Sequence, residues 1–543
     1  MTVRVEQSGR SETIAAHGMV ATSQPLATQV GVDILRQGGH AIDAAIAANA
    51  MLGLVEPMSC GLGGDLFAIV WDARTTRLHG FNGSGRAPRA MTRALFSSRK
   101  LDRIPERGPL SWTVPGCVDG WVALHERFGR LPIEQLLSPT IAYAKSGFAV
   151  TPVIGRMWKT AEDRLRADPG AAATFLVDGR APEVGEVVRN PDLARSLRAI
   201  CSAGRDAFYR GEISERILAC AGKVDGLISL EDLESHRSTW DDPVSIDYRG
   251  YDIWELPPNG QGIAALQMLG ILEGFDVSSM TRDSAELLHL QIEAKKRAYE
   301  DRAHYYADPG FADVPVDELI SKPYATRRRK QILQSRAALR VPAGDPRLQT
   351  GDTVYLTAVD SERNAVSLIQ SIYCNFGSEI VPPGTGFAMQ NRGSLFHLDA
   401  SHPNSLEPGK RPFHTIIPAF VTRDGNPLFS FGVMGGDMQP QGHVQILLNR
   451  LDFGMDVQAA GDALRWRHGG SSTPTGDAMS DGGTVWLERG FSQASIDGLR
   501  AKGHQVQIRT TGFGGYQGIW IDEKAGMLRG GSEPRKDGCA LGF

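Results

Sequence analysis

Two apolar runs around one compact turn constrain this chain most tightly. From Thr353 to Val359, the residues Val354, Leu356 and Ala358 alternate with Tyr355, Thr357 and Val359. The polar turn Asp360-Ser361-Glu362-Arg363-Asn364 follows, and Ala365 to Ser371 reads as a second strand. Short β-rich runs flanking a polar turn spell a hairpin. An ordinary core hairpin accounts for that much. The place of Thr353, at the head of the first strand, admits a second reading. If the bond before it is cut, its hydroxyl becomes a nucleophile and its freed α-amine a neighbouring base. An α-amine, with a pKa of about 7.7–8.0, is partly neutral near neutral pH. Spacing alone leaves both readings open.

The segment Thr353-Val354-Tyr355-Leu356-Thr357-Ala358-Val359-Asp360, with Asn375-Phe376-Gly377 and Gly409-Lys410-Arg411-Pro412, resembles the start of the small subunit in the γ-glutamyltransferase family. The resemblance runs nearly end to end, with motifs from Gly18 to Gly538. It implies an α/β N-terminal-nucleophile hydrolase with a four-layer αββα sandwich. It also implies a single precursor that cleaves itself between Asp352 and Thr353. The expected products are a helix-rich large chain, 1–352, and a small chain, 353–543, that begins with the nucleophile. Both would contribute to one compact unit, and a homodimer of such two-chain units is compatible with the family.

A formal net charge of −4 over 543 residues argues against bulk nucleic-acid binding. The one dense basic run, Arg327 to Lys330, suits a solvated helix face. Six scattered cysteines without a C-x-x-C give neither a disulfide framework nor a zinc or redox pair. No cofactor and no metal is expected. Residues 1–17 are polar and lack the apolar centre of a secretory signal. The most apolar stretch, Ala41 to Met58, is broken by Asp43, Asn49 and Glu56. The expectation is a cytoplasmic protein that engages neither membrane nor nucleic acid.

Along the chain, Ala27, Val30, Gly31, Ile34 and Leu35 lie on one helical face, and Gly38-Gly39 stops that helix. A second helix starts near Ala41. The run Gly61-Leu62-Gly63-Gly64-Asp65 precedes an apolar strand. A nucleotide loop needs the order strand, glycines, helix, so a tight turn entering a strand is the better reading. Ser284 or Asp283 caps a long helix in which Leu288, Ile292 and Tyr299 share a face. Glu293/Arg297 and Lys296/Glu300 are expected as i,i+4 pairs on its exposed side. The segment 343–352 is rich in proline, glycine and charge.

The resemblance assigns site residues position by position. Thr353 takes the place of the nucleophile, and Ser371 that of the hydroxyl neighbour. Gly435 and Gly436 match the pair whose N–H groups form the oxyanion hole, where glycine permits unusual dihedrals and close approach. The substrate-binding positions depart from the family. Tyr373 replaces an Asn. Arg392 and Leu395 replace the residues that hold a glutamyl α-ammonium, and His414-Thr415 replaces a Ser pair that meets the α-carboxylate. Ser84 stands at the place of the carboxylate-binding Arg, with Arg86 two residues on. A carboxylate partner for an ammonium has gone and an arginine has arrived. Arg suits planar bidentate carboxylate recognition.

The leading expectation is therefore a hydrolase of a small anionic amide that lacks an α-amino group. This resembles the oxamate amidohydrolase branch of the family, which releases acid and ammonia. The alternatives are a true γ-glutamyltransferase or glutathione hydrolase, a glutaryl- or cephalosporin-type acylase, and an uncleaved binding protein without catalysis.

Overall fold

The computed structural model describes residues 9–341 and 353–543. Two seven-stranded antiparallel sheets stack face to face. The first runs in the order Cys539–Gly542, Met19–Thr22, Val354–Val359, Ala365–Ser371, Asp65–Asp72, Arg77–Gly83, Thr239–Asp241. The second runs Thr13–Ala15, Met527–Ser532, Gly515–Asp522, Asn426–Met434, Ala419–Arg423, Tyr251–Glu255, Val244–Tyr248. Helices cover both outer faces, giving the four-layer αββα arrangement.

The hairpin forms as its alternation requires. Val354 lies opposite Gln370 and Val359 opposite Ala365. Val354, Leu356 and Ala358 pack with the helices Pro25–Arg36 and Ala41–Val55. Tyr355 and Val359 face inward, with Phe67, Ile69 and Ile369, against Phe420, Met434 and Ile519 of the second sheet. Thr357 joins the inner layer through a 2.7 Å hydrogen bond between its hydroxyl and that of Ser430. Since successive strand residues point to opposite faces, a strand buried on both sides keeps apolar residues in both alternating sets.

The first helix ends before Gly38, whose φ of +87° is the left-handed turn expected there. The glycine run enters the strand at Asp65. Gly64 is held to its size by close approach: a Cβ there would lie 2.4 Å from the Ser371 carbonyl oxygen.

One expectation is corrected. The helix Ala285–Tyr305, capped by Ser284, has no solvated face over Glu293, Lys296, Arg297 and Glu300, all of which are buried. Arg297 does pair with Glu293 at 2.7 Å, but Lys296 also pairs with Glu293, at 2.9 Å, and not with Glu300. Lys296 donates to the Ala338 carbonyl, and Glu300 accepts from Ser472 N–H at 3.2 Å. Segments distant in sequence cover a surface whose composition is that of an exposed one. Among the described residues, no helix is long and apolar enough to cross a membrane.

Candidate active site

The sheet register assembles the centre. Val354 opposite Gln370 places Thr353 beside Ser371, and Ser371 in turn lies opposite Asp65 on the next strand. Three adjacent strands thus end together. The Thr353 hydroxyl donates to Ser371 Oγ at 3.3 Å, and the Tyr373 N–H donates to the same oxygen at 2.8 Å. Thr353 and Ser371 are both buried.

Contacts run on from Tyr373 to the glycine pair. The Arg392 guanidinium carbon lies 4.6 Å from the centre of the Tyr373 ring, within cation–π range. Arg392 Nη1 donates to Thr415 Oγ1 at 2.8 Å. The Thr415 carbonyl accepts from Gln261 Nε2 at 2.6 Å, and the Gly436 carbonyl accepts from the same nitrogen at 2.9 Å. Gly435 and Gly436 have φ of +125° and +57°. Successive positive φ values suit glycine, and they follow directly on the strand Asn426–Met434. Their carbonyls accept from the Met438 and Gln439 N–H groups of the next helix.

Arg392 is completely buried, in the short 3₁₀ turn Arg392–Leu395. Among the described residues its Nε and Nη2 have no hydrogen-bond partner. Burial lowers its pKa to about 10, against the opposing pull of the Asp65 carboxylate. The group therefore stays charged near neutral pH. Asp65 is its counter-charge rather than its ligand. Asp65 Oδ1 accepts from Gly85 N–H, Gly116 N–H and Gln390 Nε2, and Oδ2 meets His414 Nε2 at 3.1 Å. Burial pushes the Asp65 carboxyl up to about 7, with Arg392 pulling it down. His414 Nδ1 accepts from Ile416 N–H at 3.3 Å, so the ring proton sits on Nε2 and is given to Asp65. Burial, then the charges of Arg392 and Arg411, keeps His414 well below the usual imidazole range, hence neutral.

The structure thus links Thr353, Ser371, Tyr373, Arg392, Thr415 and Gly436, with Gly435 adjoining and His414 behind Arg392 on Asp65. Arg86 stands apart. It is 35% exposed, donates to the Gly409 carbonyl at 3.1 Å and lies 3.6 Å from Asp308. Asp352 lies outside the described residues. Sequence reasoning missed Asp65 and Gln261. Asp65 carried a signal, an acid at the head of an otherwise apolar strand; Gln261 carried none.

A cavity of about 520 Å³ opens beside Tyr373 and Leu395, with Asp102, Glu106 and Asp477 also on its wall. Among the described residues, one group could offer a metal three ligands: His289, Glu293 and His504, whose ligand atoms lie within 4.8 Å of one another. Lys296 and Arg297 already neutralise Glu293, and His289 Nδ1 is bonded to His504 Nε2 at 2.8 Å. That donor set is built as an internal charge network rather than as a cation site.

A family model for gamma-glutamyltranspeptidase matches residues 27–543. A glutathione hydrolase-like YwrD proenzyme of Bacillus subtilis (strain 168) is 38% identical over 98% of this chain and 99% of its own length. An oxamate amidohydrolase proenzyme of Klebsiella pneumoniae is 35% identical over 98% of this chain and 100% of its own. The crystal structure of a cephalosporin acylase from Bacillus halodurans superposes with a TM-score of 0.91 at 44% identity, covering 100% of this chain and 99% of that one.

Proposed function

This chain belongs to the gamma-glutamyltranspeptidase family of enzymes, and we propose that within it the protein hydrolyses amides whose acyl group carries a carboxylate and no α-ammonium. One observation carries the reading. Arg392 presents two unpartnered N–H groups beside Tyr373, and the turn that holds it offers Leu395 where an ammonium would need an acid. A buried guanidinium with unmet donors is completed by a carboxylate, which accepts two parallel hydrogen bonds. Oxamate is the smallest such substrate. Longer dicarboxylic monoamides such as glutaryl amides carry the same carboxylate without an α-ammonium and fall within the same reading.

The mechanism follows from the centre. The precursor cleaves before Thr353, as the names of its proenzyme relatives suggest by likeness. Thr353 Oγ then attacks the amide carbon while its α-amine takes the hydroxyl proton. Ser371, within hydrogen-bond reach of Thr353 Oγ1, orients that oxygen. The Gly435 and Gly436 N–H groups receive the negative charge that develops on the carbonyl oxygen. Gln261 fixes the pair by holding the Gly436 carbonyl. Collapse breaks the C–N bond, and the α-ammonium returns its proton to the leaving nitrogen. Water, deprotonated by the same amine, then frees the acid. Net, amide and water give a carboxylic acid and an amine, the acid's proton passing to the amine or to solvent at neutral pH.

A second reading has its own support. The acids Glu106 and Asp477 on the cavity wall would suit an α-ammonium, as in a γ-glutamyl substrate. Comparing kcat/KM for oxamate, a glutaryl anilide and glutathione on one cleaved sample decides between them. A glutathione value equal to or above both others would restore the γ-glutamyl reading.

A further inference from the structure

Asp437 follows the glycine pair and begins the helix Met438–Leu447. A trans peptide points its C=O and N–H in opposite directions, so whatever holds a carbonyl also aims the N–H of the same peptide unit. The Gly435 carbonyl accepts from Met438 N–H at 3.0 Å, which aims the Gly436 N–H in the opposite sense. The next peptide unit is held by Gln261, whose Nε2 donates to the Gly436 carbonyl at 2.9 Å. Asp437 is tied at backbone and side chain. Its carbonyl accepts from Tyr299 Oη and from Gln441 Nε2, and its Oδ1 accepts from Arg302 Nη1 at 2.7 Å.

Arg302 closes this arrangement. Its Nη1 also donates to Gln261 Oε1, at 2.6 Å. Chemistry then fixes which way the Gln261 amide faces. Carbonyls only accept and a guanidinium only donates, so the NH₂ turns to Thr415 and Gly436 and the oxygen to Arg302. Gln261 is completely buried, and without Arg302 its Oε1 would have no donor among the described residues. The guanidinium is itself oriented by stacking, with its carbon 3.9 Å from the centre of the Tyr299 ring and 5.5 Å from that of Phe413. Lys295, Arg467 and Asp481 share a cavity wall with Asp437, but among the described residues Arg302 is the one cation within ion-pair distance of the Asp437 carboxylate. Tyr299 and Arg302 are three residues apart on the helix Ala285–Tyr305, and Gln261 directly precedes the helix Gly262–Leu272. All three precede Thr353, whereas the glycines and Asp437 follow it.

We propose that Arg302 is a positioning residue for the oxyanion hole: acting through Gln261 and Asp437, it holds the Gly435 and Gly436 N–H groups where the tetrahedral intermediate needs them. Residues of the 1–352 part thus set the catalytic geometry of the 353–543 part. This rests on the reading of Thr353 and the glycine pair given above. A residue that acts only on the oxyanion donors changes kcat and leaves ground-state binding alone.

Cleaved wild-type protein and Arg302→Met are compared on glutaryl 4-nitroanilide, glutarate and 4-boronobutanoate. Glutarate fills the acyl site without a tetrahedral centre. With the boronate, Thr353 Oγ adds to boron, its proton passes to the α-amine, and a boron hydroxyl takes the oxyanion's place. Arg302→Met should lower kcat and boronate affinity at least tenfold each, with KM and the glutarate Kd within threefold of wild type. Arg302→Lys, which keeps charge and donors, should recover part of both losses. Tyr299→Phe, which removes only the hydroxyl bond to Asp437, should give a smaller loss of the same kind, and it decides the matter if Arg302→Met does not fold. Unchanged kcat in folded variants, or equal weakening of glutarate and boronate, overturns the proposal. A second measurement needs no turnover. In uncleaved Thr353→Ala protein, hydrogen exchange at the Met438 and Gln439 amides should be at least tenfold faster once Arg302→Met is added, well below the Tm of both proteins. Unchanged exchange also overturns the proposal. If wild-type protein neither hydrolyses the anilide nor binds the boronate, the reading of Thr353 and the glycines fails, while the exchange rates still decide whether Arg302 holds the loop.

Discussion

Arg392 lies over the Tyr373 ring at 4.6 Å, and Tyr373 in turn gives its backbone N–H to Ser371, the hydroxyl that neighbours Thr353. The proposed acyl anchor and the proposed nucleophile are thus joined through one aromatic residue. Arg392→Ala should lower kcat/KM for oxamate or a glutaryl amide by an order of magnitude or more. A charge-assisted hydrogen bond contributes about 1.5–3 kcal/mol, and about 1.4 kcal/mol is tenfold. The same variant should leave the anilide of a neutral acyl group within a few-fold of wild type. Steady-state kinetics on both substrates checks this, and an equal loss on both would make Arg392 a structural residue.

Self-cleavage before Thr353 should give chains of residues 1–352 and 353–543 by intact mass under denaturing conditions. Thr353→Ala should give one chain of the full length. Wild-type protein that hydrolyses amides while remaining a single chain would remove Thr353 from its role.

Gly435→Ala and Gly436→Ala keep the backbone N–H but disfavour the positive φ that aims it, and each should lower kcat by up to about 10²–10³, the cost of a lost oxyanion donor. Both residues have positive φ, and a Cβ on Gly435 would lie 3.0 Å from Gly514 Cα. Some loss of Tm is therefore expected alongside the loss of rate. Retained activity in both variants would place the oxyanion elsewhere.

Asp65 supplies the pH dependence. Its carboxyl is raised by burial from an ordinary 3.8 to about 7, so the folded state holds the proton more tightly than the unfolded. The stability it contributes is complete below about pH 4 and is lost as pH rises through about 7. Wild-type Tm should therefore fall more between about pH 5 and pH 8 than the Tm of Asp65→Asn, in which the carboxyl is absent. Identical slopes by scanning calorimetry would show that Asp65 does not titrate in this range.

The hairpin, the first two helices and the glycine turn into the strand at Asp65 were legible because each is a local pattern. Thr353 and Ser371 were singled out by the family resemblance and not by the local pattern, and the hairpin register is what sets them side by side. The helix from Ala285 misled for a physical reason: Lys295, Lys296, Arg297 and Glu300 have the composition of a solvated face, yet residues 331–338 and 465–472 fold over them. Periodicity reports which side of a helix is polar and cannot report what covers it. The bond between Asp65 and His414 spans 349 residues, and Gln261 reaches Gly436 across 175. No local signal encodes partners at such separations. They meet because two sheets bring their strand ends to one place.

The order of strands also decides how the protein can be taken apart. Met19–Thr22 lies between Val354–Val359 and Cys539–Gly542, and Thr13–Ala15 closes the far edge of the other sheet against Met527–Ser532. Residues from either side of Thr353 are interleaved in both sheets. While the chain is whole, its folding is unimolecular and independent of concentration. Once cut, the same native state can be regained only by an encounter of two separate molecules, each with unpaired strand edges that can also meet copies of themselves. Cleavage would thus make the enzyme a one-way product of its precursor, durable while assembled and poorly recoverable after denaturation.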